Sequence, residues 1–360
     1  MTVVRSAWAY CAVALSTWLL MITTSEAFLP ASLLTYGPRY FLLAPVLVLT
    51  VLALKKSRRA LVPLGVALVV VLGPVMGGRV SPTTAFASMR SSAPPGALRV
   101  VSFNAGGGDK VALQLRAMLE TLHPDVIALQ ECGAVLRDSV RAQTKFMHAM
   151  GANVCTMSRW PIVAVDSMPR ADLAAAAQLG YGGAGVVVRT SINSPHGQFD
   201  LVNVHLETAR KGLFAFLGNN SSLLRLLGVQ EMRSKRVLNA SGTADDRFAA
   251  NASVRDRESE RASRWSTSRA DAPVIVVGDF NMPTESTIFR RHWGAFTDSF
   301  EARGTGFGWS KHEGALLNIR IDHILSNPTA PRPIGSWIGN DFGSDHRPVV
   351  ADLAWATAVR

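Results

Sequence analysis

An α/β sandwich preceded by an N-terminal bundle of three transmembrane helices is the architecture this sequence predicts. Three observations carry the prediction. The first 80 residues hold three nearly uncharged apolar runs, each close to the roughly 20 residues that cross a bilayer. From Leu98 onward, apolar runs of strand length alternate with stretches of helical period. Polar residues stand where those apolar runs stop. Composition agrees: 18% charged residues and a mean hydropathy of +0.19 are too apolar for a wholly soluble globule. The 48% hydrophobic content excludes disorder, and three cysteines exclude a disulfide-built scaffold. Residues 1–96 carry eight of the 37 Lys/Arg residues and one of the 26 acids. The net charge of +11 therefore overstates the basicity of the remainder, and composition alone argues weakly for nucleic acid.

The expected spans are residues 7–24, 38–54 and 60–78. Three uncharged runs in succession have no polar face to present as core helices of a soluble protein. Lys55, Lys56, Arg58 and Arg59 crowd one loop, whereas residues 25–37 carry only Glu26. By the positive-inside rule the basic loop is cytoplasmic, and the third helix delivers the rest of the chain outside. The expectation is thus an integral protein of the plasma (inner) membrane with its large domain on the outer or periplasmic side. Arg5, the first apolar run and Ser25-Glu26-Ala27 also fit a cleavable signal peptide over residues 1–27. Either reading leaves the large domain outside.

Residues 81–97, rich in Pro, Ser and Ala, read as a linker, and residues 98–360 as one folded domain. Its first strand, 98–103, ends on Asn104 and a triple-glycine turn, after which Asp109 caps a helix through Leu122. Further strands are expected at 126–130, 153–158, 185–189, 199–206, 273–280, 319–325 and 348–355, with a helix over 134–149. Residues 208–270 contain two helical stretches and a polar tract. This alternation describes a sandwich with a site along one edge of its sheets.

Cys132 directly follows Glu131, and Cys155 lies on the strand that begins one helix later. Helix-linked strands are often neighbours, so the two Cα atoms could reach the roughly 4.4–6.8 Å of a disulfide. Two buried free thiols are the alternative. Cys11, inside the first apolar run, is remote from both.

The polar residues at strand ends are Asn104, Glu131, His205, Asp279, Asn281, Asp322, Asp345 and His346. Each alone has an ordinary structural reading as a turn residue, a solvated carboxylate or a satisfied core histidine. Together they are hard to explain by folding needs, because buried charge is costly without a partner or a cation. The segments VVSFNAG, DVIALQE, NVHLE, VIVVGDFNMP, RIDHIL and GSDHRPVVADL resemble, in order, the signature blocks of the endonuclease/exonuclease/phosphatase superfamily. They span about 98–355. The preceding apolar segments are similar to those of its bacterial membrane-anchored members.

The resemblance implies a four-layer, DNase I-like α/β sandwich that cleaves phosphoesters with Mg²⁺ (or Mn²⁺). It implies that Asn104, Glu131 and Asp345 hold the metal, an oxygen-rich set suited to a hard cation. Asp279 would orient or deprotonate the attacking water, and Asn281 would bind a phosphate oxygen. His346, fixed by Asp322, and His205 would sit against the phosphate. The expected partners are a phosphoester substrate, lipid or nucleic acid, and the bilayer; no obligate protein partner is implied. Extensions typical of inositol polyphosphate phosphatases are absent, and His205 stands where AP endonucleases usually carry tyrosine. Two readings remain: a lipid phosphodiesterase or phosphatase, and an extracellular or periplasmic nuclease. A non-catalytic envelope binding protein is a third, weakened by the complete residue set. The basic and apolar segment 209–236 suits an interface of anionic headgroups or a phosphate backbone, or simply a helix covering the sheet.

Overall fold

Apolar residues on both faces of a strand demand cover on both sides, and the large domain is built on that requirement. The computed structural model describes residues 2–82, 92–169, 185–217, 243–269, 271–313 and 317–355. One mixed sheet runs in the order β13-β14-β1-β2-β4-β3. Its strands are β1 (Ala97–Asn104), β2 (Val126–Gln130), β3 (Met147–Gly151), β4 (Val154–Ser158), β13 (Arg332–Ile338) and β14 (Val349–Ala354). The second runs β5-β6-β7-β8-β12-β9. It comprises β5 (Ile162–Ser167), β6 (Val186–Ser194), β7 (Gly197–His205), β8 (Val274–Asp279), β9 (Thr297–Asp298) and β12 (Asp322–Ser326). A short hairpin, β10 (Lys311–Glu313) with β11 (Leu317–Ile319), flanks them.

The sheets meet face to face through Leu98, Val100, Val126 and Ala128 against Leu201, Ile275, Val277 and Ile324. The outer face of the first sheet is covered by helices at Asp109–Leu122 (α5) and Ala134–Arg141 (α6), through Val111, Leu115, Met118 and Leu136. The second is covered by later helices, with Ala262, Ile288, Phe289 and Trp293 facing inward. Helix, sheet, sheet and helix make the expected sandwich. Each sheet contains one parallel pair, β1–β2 and β7–β8, whose carboxyl ends point to the same edge.

Several boundaries differ from expectation. The helix expected over 134–149 stops at Arg141, because Phe146 lies in a bend and Met147 to Met150 belong to β3. The strand expected over 319–325 is broken into β11 and β12, since Arg320 turns aside to pair with Asp298 and Glu301. Asp109 is the first helical residue rather than the cap; Gly108 holds the cap with a φ of 95°. The linker assigned to 81–97 lies partly outside the described residues, and its last residue already belongs to β1.

The apolar N-terminus forms helices at Thr2–Thr24 (α1), Leu29–Tyr36 (α2), Leu43–Lys56 (α3) and Leu61–Val70 (α4). Among the described residues, two helices are long and apolar enough to cross a membrane, Thr2–Thr24 and Arg58–Val75. The middle span expected at 38–54 is corrected: α3 begins only at Leu43 and has 14 residues, about 21 Å of helix. A third span exists only if α2 and the 40–56 helix, bent by 95°, count as one. The bend has a cause. Pro38 interrupts the chain, and buried Arg39 donates to the carbonyls of Leu34, Thr35 and Val75 while facing Glu285 at 3.4 Å.

The bundle packs on the sandwich. Glu26 accepts hydrogen bonds from the Ser286 hydroxyl at 2.6 Å and the Thr287 amide at 3.1 Å, at the start of the helix Thr287–Trp293. Arg79 pairs with Glu301, and Phe307 and Trp309 pack against the apolar cluster around Val71 and Met76. Away from this contact the bundle turns apolar side chains outward: Leu47, Val62 and Val69 are each about two-thirds exposed.

Candidate active site

Strand register brings the polar residues together. β1 ends on Asn104 opposite Gln130, so Glu131 is the next residue beyond the parallel pair. β7 ends on His205 opposite Asp279, and Asp279 is also opposite Asp322. Gly278 makes this close approach possible: at φ 144°, a Cβ there would lie 1.9 Å from the Val204 carbonyl oxygen. Two non-glycine residues at the edge adopt left-handed backbone, Glu131 at φ 49° and Asn281 at φ 54°. Such conformations cost energy and concentrate where side chains must be aimed.

Asn104 links the two sheets. Its side-chain oxygen accepts from the Gly106 amide at 3.0 Å, which directs Nδ2 toward Glu131 Oε1 at 3.1 Å and Asp279 Oδ2 at 2.9 Å. His205 Nε2 lies 3.8 Å from the Glu131 carboxylate and 3.9 Å from that of Asp279. The Asn281 amide donates to Asp279 Oδ1 at 2.8 Å, and its side chain donates to the Leu206 carbonyl. His346 Nδ1 meets Asp322 Oδ2 at 2.8 Å, leaving Nε2 at 3.8 Å from Asp279 and 4.0 Å from Asp345. The Ser310 hydroxyl donates to the same Asp322 oxygen at 2.6 Å.

Burial divides the site. Asp279, Asp322 and His346 are almost wholly enclosed, whereas the side chains of Glu131 and Asp345 are 37% and 52% exposed. Burial, and then repulsion from Asp322, pushes the Asp279 carboxyl above the ordinary range. Burial would lower the His346 imidazole, but the charge and hydrogen bond of Asp322 outweigh it and hold it above its usual value. Burial would raise Asp345, yet its ion pair with Lys311 keeps it below. Glu131, His205, Asp279, Asn281, Asp345 and His346 line one cleft of about 680 Å³ together with Lys110, Arg210 and Lys311, whereas Asn104 and Asp322 are not on its surface.

Asp279, Asp322 and His346 offer ligand atoms that all lie within 4.8 Å of one another. This carboxylate–imidazole cluster fits a divalent cation in its chemistry. Asp322 Oδ1 is buried without a hydrogen-bond partner, and two carboxylates crowd together, so local positive charge would relieve both. Asp279 and His346 also line the open cleft, which has room for the waters that a hard ion keeps. Glu131 and Asp345 stand at the open end of the same cleft, although Asp345 is engaged by Lys311.

Lys311 and Ser310 were not singled out in the sequence; they lie outside the apolar strand runs and reach the site through a bridge of Lys311 to His346. Of segment 209–236, residues 218–236 lie outside the described residues; its beginning forms a helix at Arg210–Leu217, with Arg210 on the cleft. Cys132 and Cys155 are joined by a disulfide with Cα atoms 5.9 Å apart, directly behind Glu131.

The chain is similar in fold to several solved structures. D. rerio TDP2, solved with a single-strand DNA product, is 15% identical, with 71% of this chain and 98% of that one covered at a TM-score of 0.47. Sphingomyelinase C from Streptomyces griseocarneus is 16% identical over 71% and 99%, at 0.44. The 3'-5' exonuclease NExo from Neisseria meningitidis is 16% identical over 72% and 100%, at 0.45. No curated protein matches the chain. The family model described as Endonuclease/Exonuclease/phosphatase family matches residues 101–346, more than half the chain and every strand-end residue above. With that match and a cluster fit for a divalent cation, this chain is a metal-dependent phosphoesterase that belongs to the endonuclease/exonuclease/phosphatase family.

Proposed function

We propose that the protein is a membrane-anchored phosphoesterase acting on a lipid-headgroup phosphoester at the outer side of the membrane. In this reading residues 1–80 are the membrane region and 98–360 the catalytic domain. The observation that carries it is where the bundle sits: residues Leu33 to Pro38 lie beside Thr208, Arg210 and Lys311, at the rim of the catalytic cleft. The packing of the bundle is in keeping with that orientation. Residues 26, 39 and 79 all touch the sandwich, whereas Ala53 and Ala60, on either side of the basic loop, pack with Ala7 at the far end. A cytoplasmic Lys55–Arg59 loop therefore puts the sandwich outside.

The mechanism follows from the side chains. Glu131, Asn104 and Asp345 would hold Mg²⁺ or Mn²⁺, which when bound supplies charge neutralisation at a phosphoryl oxygen and the leaving group. Asp279 Oδ2, oriented by Asn104, takes a proton from the attacking water. His346, kept protonated by Asp322, donates from Nε2 to a phosphoryl oxygen, and His205 approaches the same anion from the opposite strand. Asn281 is held at the cleft wall by its bonds to Asp279 and Leu206, and presents its remaining amide proton to the phosphate.

A panel of soluble phosphomonoesters, phosphodiesters, DNA and vesicle-borne phospholipids, each with and without EDTA, tests the proposal. Chelator-sensitive hydrolysis that favours the vesicle-borne esters is expected. Equal or faster turnover of DNA, falling steeply with salt, would replace the lipid reading with the nuclease one.

A further inference from the structure

Beside the catalytic cleft lies a second cavity of about 90 Å³ with an apolar lining. Leu33, Tyr36 and Pro38 of the bundle form one wall, and Leu213, Leu317 and Ile321 of the sandwich form the other. Thr208, Arg210, Asn281 and Lys311 line this cavity and the catalytic cleft alike. The two spaces therefore share a border, and that border carries two cations. Elsewhere on the bundle the outward faces of α1, α3 and α4 expose Leu19, Leu47 and Val62, an apolar surface suited to hydrocarbon.

We propose that this cavity receives the first methylenes of one hydrocarbon chain of a lipid phosphoester whose phosphate lies in the catalytic cleft. The arrangement matches an amphiphile: an apolar slot, a cationic border and a site for phosphate chemistry stand in that order. A volume of about 90 Å³, against the ~150 Å³ that holds a benzene-sized ligand, takes a few methylenes and no more. The rest of the chain runs toward the bundle surface. The 95° bend between α2 and the following helix is what sets Leu33 and Pro38 against the sandwich, so the membrane segment itself builds half of the substrate site. Each methylene seated there should tighten binding about fourfold until the cavity is full. This inference rests on the lipid reading above and narrows it to substrates with an aliphatic chain near the phosphate.

The test uses the full chain in phosphatidylcholine nanodiscs. A series of p-nitrophenyl alkyl phosphates, from methyl to dodecyl, is assayed in parallel with photo-cross-linking by an alkyl phosphate carrying a diazirine on its fourth carbon. The expected result is a KM that falls at least tenfold over the first few carbons and then levels, with kcat nearly constant. Cross-links should map to residues 33–38 or 317–321, and unlabelled octyl phosphate should compete them away. Leu33→Trp and Leu317→Trp, both checked for folding by circular dichroism, should flatten the chain-length series. A series that stays equally steep in both folded variants would overturn the proposal, as would cross-links confined to α1 and α4. Cross-linking at the expected residues without hydrolysis of any ester would leave this cavity standing and sink the phosphoesterase mechanism. Hydrolysis without cross-linking would do the reverse.

Discussion

Asp322→Asn isolates charge from shape at the centre of the site. Asp322 Oδ2 accepts from Ser310 at 2.6 Å and meets His346 Nδ1 at 2.8 Å, while Oδ1 has no hydrogen-bond partner. Asparagine can keep its oxygen toward Ser310 and His346 and put its NH₂ in the place of Oδ1. The packing is then retained and the negative charge is lost. His346 is buried, and burial disfavours its charged form, so without Asp322 the imidazole should be neutral at pH 7. The site would lose a charged donor to the phosphoryl group, a change worth about 10²–10³ in kcat by analogy with removing one oxyanion donor.

The sign of the pH effect is fixed by the same shift. The proposed mechanism needs a protonated His346, so wild-type activity should fall as pH rises through its raised pKa. In Asp322→Asn that alkaline limb should move to lower pH. Stability follows the same direction: the contribution of the His346–Asp322 pair is fully present below the unfolded histidine value near ~6.5 and is lost as pH rises through the folded value. The assay is a pH–rate profile of both proteins with one soluble ester, with the imidazole followed by NMR. An unmoved alkaline limb and a kcat within threefold of wild type would refute the reasoning.

Glu131→Gln should lower activity by orders of magnitude at unchanged melting temperature, because its side chain is part-exposed at a strand end; near wild-type turnover would remove Glu131 from the metal site. Replacing Cys132 and Cys155 together with alanine should cost about 3 kcal/mol in denaturant unfolding, from the 23-residue loop the bond closes; a loss under 1 kcal/mol would show that the loop is restrained by other means. Asp298 is buried, but Arg320 and His323 hold its carboxyl down to about 2, so it contributes about 2 kcal/mol above the unfolded value near 3.8 that disappears as pH falls toward 2. Asp298→Asn should flatten that part of the acid-unfolding curve. A reporter active only outside the cytoplasm should function when fused after Arg360, and should lose correct orientation when Lys55, Lys56, Arg58 and Arg59 are neutralised. An inactive fusion to a folded protein would count against the outward placement.

The elements legible in the sequence are those buried on both faces. β2 lies at 126–130 as expected, because every residue from Val126 to Gln130 is enclosed between the other sheet and a helix layer. Of the strands the sequence does not announce, β5 and β13 are instructive because they lie at sheet edges. β5 has an apolar run of only four residues, Ile162 to Val165, and is largely exposed, whereas β13 contains Pro333 and a register shift beside it and has no uninterrupted apolar run. The membrane segment shows a related failure. A hydropathy window reads 38–54 as one span, but it cannot read that Arg39 is held by three backbone carbonyls and faces Glu285, some 246 residues away in sequence. Lys311 was invisible because nothing local marks it. Its significance comes from Asp345, reached only through the pairing of its strand with His346.

The division of the site by burial explains why its polar residues could be recognised at all. Asp279, Asp322 and His346 are sequestered where an unbalanced charge is expensive, so each must be fixed by partners supplied from strands far apart in sequence. That need ties them to strand ends, where an apolar run can stop on a polar residue and a neighbouring strand can meet it. Glu131 and Asp345 work under the opposite constraint. In the proposed mechanism they hold a hard cation that retains water, so their carboxylates must face the cleft. At Glu131 a left-handed φ of 49° and the disulfide at the next residue fix the backbone from which the carboxylate reaches the cleft, while Asp345 is held there by Lys311.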